Sequence, residues 1–127
     1  PVYAEGIGNV LSPVALDLSE YKIVVHVPEF SVSTSIAYKK VIPSKTEFDL
    51  RKISCLPVEV WKGNVINDFE KVIFSDYPEI KKIKDIFYDS GALYSSMSGS
   101  GSAVFGIFRE IPENLNKKIP KGVFFAG

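Results

Sequence analysis

The chain has 127 residues, 46% of them hydrophobic, enough for one domain around one core. Lys and Arg number 15, matched by 15 Asp and Glu; a formal charge of zero excludes the basic surplus by which proteins bind nucleic acid or an anionic membrane. No apolar run is long enough to span a bilayer and no signal peptide is visible; the lone Cys55, without a partner for an internal disulfide, fits a reducing, cytoplasmic setting. The chain begins at Pro1 without a Met and stops behind the apolar Val123-Phe124-Phe125-Ala126, with no polar tail at either end, and so reads as a fragment or excised domain.

Val2 to Ile7 is a predicted strand, and Glu5-Gly6-Ile7-Gly8-Asn9 a turn. Val10, Leu11, Val14 and Leu16 continue as a second extended piece, where Pro13 rules out helix. Tyr21 to Val27 is the clearest strand; its unbroken apolar centre predicts burial on both faces, and Pro28 ends it. It carries the only His, His26, which no Cys or His cluster supports as a metal ligand. Ser33 or Thr34 can cap a helix from Ser35 to Ile42, stopped by Pro43. Asp49 to Leu56 reads as a short helix, and Val58 to Trp61 as one more turn closed by Gly63, with Trp61 a packing residue.

Val65, Ile66, Phe69, Val72 and Ile73 recur at three- and four-residue spacing and predict an amphipathic helix over Asn64 to Phe74. Within it, Asn67, Asp68 and Glu70 read as structural, holding the helix start to nearby backbone. Asp76-Tyr77-Pro78 opens a second helix whose Ile80, Ile83, Ile86 and Phe87 face a core, and Gly91 closes it. Ala92 to Met97 and Ala103 to Phe108 are two strands. Between them lies Ser98-Gly99-Ser100-Gly101-Ser102, where two glycines able to take φ > 0 stand among hydroxyls. Such a bend presents backbone N–H groups as an anion-cradling nest, or is simply a hairpin turn. It is not a Walker loop, since no Lys follows and a strand rather than a helix comes next. Arg109 to Lys121 has room for one short helix, around Glu113 to Lys118, and Gly122 to Ala126 is a last strand.

Met97-Ser98-Gly99-Ser100-Gly101-Ser102-Ala103-Val104-Phe105-Gly106 resembles the third signature motif of the galactokinase/homoserine kinase/mevalonate kinase/phosphomevalonate kinase (GHMP) superfamily. Its spelling is closest to the branch that phosphorylates 4-diphosphocytidyl-2-C-methyl-D-erythritol. Ala4-Glu5-Gly6-Ile7-Gly8, Val32 to Lys39 and Asn67-Asp68-Phe69-Glu70 are similar to further segments of that branch, although Asn9 stands where Glu is usual. The resemblance implies an α+β, ferredoxin-like C-terminal domain over residues 17–127, with helices on one face of a mostly antiparallel sheet. It implies that residues 1–16 are junction strands ending an N-terminal kinase domain. It also implies substrate contacts: Ile7 lining the cytidyl pocket, Thr34 beside it, Tyr38 stacking on cytosine and Lys39 near the diphosphate. Read without the resemblance, Tyr38 is a helix residue packed into the core and Lys39 a solvated side chain.

The implied reaction is ATP-dependent phosphorylation of the 2-hydroxyl of that cytidyl diphosphate substrate, in non-mevalonate isoprenoid biosynthesis. The superfamily's catalytic Lys and Asp and its main ATP loop belong to the N-terminal domain, and nothing here matches them. No catalytic or metal-binding residue is therefore assigned. ATP and Mg²⁺ are expected in the full-length enzyme and neither in this piece, which alone should be inactive. The expected partners are the chain's own N-terminal kinase domain, the small-molecule substrate and, through exposed strands, a second copy of the chain. Two alternatives stand beside this reading: another small-molecule kinase of the superfamily, or a non-catalytic ferredoxin-like binding module.

Overall fold

A computed structural model describes residues 1–127. Val2–Glu5 (β1) and Val10–Pro13 (β2) pair antiparallel in a two-stranded sheet of their own. Both are shorter than predicted. The Gly8 amide donates to the Glu5 carbonyl at 3.1 Å and turns the chain there, and past Pro13 one last bond, from the Val14 amide to the Pro1 carbonyl at 3.0 Å, uses up the partner strand.

Lys22–Pro28 (β3) begins the main sheet. The crossover that follows carries three helices, Thr34–Lys40 (α1), Phe69–Asp76 (α2) and Pro78–Asp89 (α3). The chain returns as Tyr94–Met97 (β4) and Val104–Phe108 (β5), passes through the single turn Leu115–Lys118 (α4), and ends in Gly122–Ala126 (β6). The strand order is β4-β5-β3-β6, and every pairing is antiparallel. A βαββαβ chain whose strands take that order is the ferredoxin-like arrangement, so the expected α+β architecture is the one present.

Val24, Ala37, Ile73, Ile80, Ile83, Phe87, Met97, Val104 and Phe108 join in one core between the sheet and α1–α3. The other face is covered only in part. Val58, Trp61, Tyr94 and Ile107 cluster there with Ile53, Leu56 and Phe105, so the segment after α1 shields β4 and β5. Burial pushes the Tyr94 phenol up to about 12, and its O–H donates to the Val65 carbonyl at 2.9 Å.

Four expectations are corrected. β3 is buried on one face only: Val24, His26 and Pro28 are buried, but Ile23, Val25 and Val27 are partly exposed, because no helix lies over the β3–β6 half of that side. The helix after Ser33 ends at Lys40, since Val41 is extended and Ile42 precedes Pro43, which disfavours helical backbone. Leu50–Cys55 is a kinked 3-10 segment, at whose start Arg51 folds back on Asp49. The Asn64–Phe74 helix starts five residues late, at Phe69, because the Asn67 side chain accepts from the Phe69 amide at 3.0 Å and holds its own residue outside the helix.

His26 faces the core with no exposed area, and neither imidazole nitrogen has a hydrogen-bond partner. Burial lowers its pKa below the ordinary 6.5. The unfolded chain therefore binds a proton at a pH where the folded chain does not, so stability is lost as pH falls below about 6.5 and is flat above it. The melting temperature should drop between pH 7.5 and 5.5, and His26→Leu should flatten that slope. Equal slopes in both proteins would refute this account.

Candidate functional site

The serine-glycine bend joins β4 to β5 and is closed by backbone hydrogen bonds. The Ser98 amide donates to Ala103 at 2.8 Å, and the Gly101 amide to Ser98 at 3.0 Å. Gly99 (φ 54°) and Gly101 (φ 96°) are both left-handed, as their spacing predicts. A Cβ on Gly101 would also stand 3.0 Å from the Met97 sulfur, so the backbone demands glycine there and a side chain would press on Met97 as well.

Two neighbours hold this bend. On one side the Ser102 hydroxyl donates to the Phe30 carbonyl at 3.1 Å, and Val32 packs beside Gly101. Phe30 stacks on Tyr77 at the α2–α3 junction, with ring centroids 5.7 Å apart. This ties the bend to the segment that leads into α1. Ser33 caps α1, its hydroxyl accepting from the Ile36 amide. On the other side the Asn67 amide nitrogen donates to the Met97 and Gly99 carbonyls, both at 2.8 Å. The Glu70 carboxylate accepts from the Met97 amide at 2.8 Å and the Ser96 hydroxyl at 2.9 Å, and pairs with Lys84 at 2.5 Å. Asp68 faces away and takes the backbone amide and hydroxyl of Ser44.

The predicted site residues divide into two groups. Thr34 and Tyr38 lie one turn apart on α1, the element entered from the segment that Ser102 grips. Tyr38 is 64% exposed rather than packed into the core, and it meets the Phe69 ring edge-on at 4.9 Å. Phe69 in turn follows Asn67 by two residues, so the Tyr38 ring sits against the start of α2, which also holds the bend. Lys39 is exposed on the same helix; its neighbour Lys40 is engaged by Asp76 at 2.6 Å. Ile7 stands apart. It is 95% exposed at the tip of the β1–β2 hairpin, which pairs with no strand of the main sheet. A cavity of about 1190 Å³ opens elsewhere, between residues 62–68, α2 and α3. It shares Asn67 and Glu70 with the supports of the bend, and none of the predicted site residues lines it.

The clamp formed by Asn67, Glu70 and Lys84 is what reading the sequence missed. Asn67 and Glu70 read as helix-start residues, and Lys84 lies on the following helix, outside its apolar spacing. The one available signal was that Asn-x-x-Glu at a helix start places an amide and a carboxylate on neighbouring positions of one turn. No group of three or more His, Cys, Asp or Glu residues could hold a metal ion.

Residues 61–121 match the family model described as GHMP kinases C terminal. The chain is 47% identical over 110 residues to the 4-diphosphocytidyl-2-C-methyl-D-erythritol kinase of Parabacteroides distasonis, covering 87% of this chain and 41% of that protein. It is 47% identical over 108 residues to the protein of the same name from Bacteroides fragilis, covering 85% and 39%. A crystal structure of 4-(cytidine 5'-diphospho)-2C-methyl-D-erythritol kinase superposes over 99% of this chain and 48% of that one, with TM-score 0.74 and 27% identity. The chain carries a GHMP kinase C-terminal domain. A homoserine kinase from Cytophaga hutchinsonii shares its fold, with TM-score 0.60 and 17% identity over 98% of this chain and 47% of that one. The GHMP kinase C-terminal domain described here spans about two fifths of the length of the curated relatives it matches. None of its helices is long and apolar enough to cross a membrane.

Proposed function

We propose that this chain is the substrate-binding C-terminal part of a kinase that uses ATP to phosphorylate the 2-hydroxyl of 4-diphosphocytidyl-2-C-methyl-D-erythritol, a step of non-mevalonate isoprenoid biosynthesis. The observation that carries the reading is 47% identity over 110 residues to a kinase so named. The geometry of the bend and α1 supports it, since the bend has two left-handed glycines among hydroxyls, Val32 next to the capped start of α1 packs beside it, and Tyr38 on α1 presents an exposed ring.

In this reading Tyr38 stacks on the cytosine, while Thr34 and Lys39 lie along the diphosphate. Ser98 to Ser102 close over the phosphate that is transferred. Phosphoryl transfer depends on position and on charge stabilisation, so a wall that fixes the substrate hydroxyl contributes directly to rate. ATP, Mg²⁺, the catalytic Lys and the carboxylate come from an N-terminal kinase half. Residues 1–16 form the junction with that half, and Ile7 at the tip of the hairpin reaches the cytidyl pocket from there. The enzyme works in the cytoplasm, and the open β3–β6 face is where a second copy of the chain would pair.

A chimera in which this chain replaces the 110 matched residues of the Parabacteroides distasonis protein tests the proposal. It should phosphorylate the cytidyl substrate at its 2-hydroxyl with ATP, whereas the 127-residue chain alone should not. A folded chimera that acts on mevalonate or homoserine instead, or on no alcohol at all, overturns it.

A further inference from the structure

β4 ends the main sheet, and no strand pairs with its outer edge. Residues two apart on a strand turn their peptide groups to the same edge, so Ser95 and Met97 share this one, and Gly99 follows in the bend just beyond it. Side chains take the place of the absent strand. The Tyr88 hydroxyl donates to the Ser95 carbonyl at 3.3 Å. Glu70 accepts from the Met97 amide, and Asn67 donates to the Met97 and Gly99 carbonyls. Lys84 faces Glu70 at 2.5 Å, and the Glu70 and Lys84 side chains are only 12% and 23% exposed.

The Asn67 contacts decide which way the bend points its amides. In a trans peptide the C=O and the following N–H point in opposite directions. With the Met97 carbonyl turned to Asn67, the Ser98 amide points across to β5, where it meets Ala103. With the Gly99 carbonyl turned to Asn67, the Ser100 amide is aimed away from α2. The Ser98 and Gly101 amides are used inside the bend, while the Gly99, Ser100 and Ser102 amides make no hydrogen bond within the chain, and of these the Ser100 amide is the one whose direction the Gly99 carbonyl fixes.

We propose that Asn67 is a positioning residue: by gripping the carbonyls on either side of Ser98 it aims the Ser100 amide outward as a donor for a phosphate oxygen, with Glu70 and Lys84 anchoring the same edge. The phosphate as occupant rests on the kinase reading above; the grip on the bend does not. A side-chain amide is needed, because both partners are acceptors. Asp at position 67 would keep the acceptor that caps the Phe69 amide, lose the donor, and set a negative charge against two carbonyls.

Amide hydrogen exchange on the 127-residue chain separates this from a merely structural role. In Asn67→Asp, exchange at Ser98 and Gly101 should rise by about tenfold or more, which corresponds to about 1.4 kcal/mol of lost local hydrogen bonding, while the amides of β5 keep their protection. Glu70→Gln, which still accepts from Met97 and Ser96, should leave the bend within about threefold of the parent. Unchanged exchange in Asn67→Asp, a rise shared equally by β5, or a Glu70→Gln bend as loose as that of Asn67→Asp overturns the proposal. In the chimera, Asn67→Asp should lower kcat while the KM for the cytidyl substrate stays near its parent value. An inactive parent chimera would count against the kinase reading and leave the exchange result standing, whereas a loosened bend with kcat unchanged would remove the role in phosphate binding.

Discussion

Tyr38→Ala, made in the chimera, should raise the KM for the cytidyl substrate by about 5- to 150-fold, the range that corresponds to the roughly 1–3 kcal/mol of an aromatic–base stack. The KM for ATP should move far less. The reason lies in the setting of the ring. Tyr38 is 64% exposed, yet the edge-on contact with Phe69 holds it in place, so little side-chain freedom is left to lose when a base arrives. Tyr38→Phe keeps the aromatic face and should stay within about twofold of the parent. Stability should hardly change in either variant, because an exposed substitution of this kind is usually worth within about 0.5 kcal/mol. Equal rises in KM for the cytidyl substrate and for ATP would count against a cytosine contact.

Phe87→Ala should have the largest effect on the fold. Phe87 is fully buried on α3, and its ring meets Phe108 of β5 edge-on at 6.1 Å. Between them β5 carries Gly106, where a Cβ would stand 2.8 Å from the Phe108 ring and 3.1 Å from the Phe87 ring. Helix and sheet are thus in contact across a point with no side chain to relax into a void. Truncating a buried Phe to Ala costs about 3–5 kcal/mol, against a total of about 5–15 kcal/mol for a typical domain. The melting temperature should fall by more than about 10 °C. Lys82→Ala, on the exposed side of the same helix, is the control and should change stability by less than about 0.5 kcal/mol. A Phe87→Ala protein melting within a few degrees of the parent would mean that this contact does not carry the helix–sheet packing.

Local residue choice wrote several elements directly into the chain. α3 runs from Pro78 to Asp89 as its Pro start, its Ile and Phe spacing and Gly91 imply. The bend has left-handed glycines where Gly99 and Gly101 stand, because few other residues adopt that backbone. Elements whose limits depend on distant partners were less legible. Apolar spacing alone carries α2 back to Asn64, whereas the Asn67 side chain reaches the backbone of residues 97 and 99, thirty or more positions later. An apolar run such as Tyr21 to Val27 says that a strand is buried, but not whether one face or two are covered.

The candidate site divides in the same way. Its components, a serine-glycine bend, a capped helix with Tyr38 one turn in, and an Asn-Asp-x-Glu start, can each be read from a few adjacent residues. Which of them meet could not be read, because hydrogen bonds from Ser102 to Phe30 and from Asn67 to Gly99 exist only once β3, β4 and β5 have taken their order in the sheet. By itself the sequence determined the βαββαβ sequence of elements and the backbone of the bend, through local preferences of proline, glycine and apolar spacing. Only the tertiary structure decided the direction in which the bend presents its amides, since that direction is set by side chains from a helix far away in the chain, brought to the free edge of β4 by burial of the shared core.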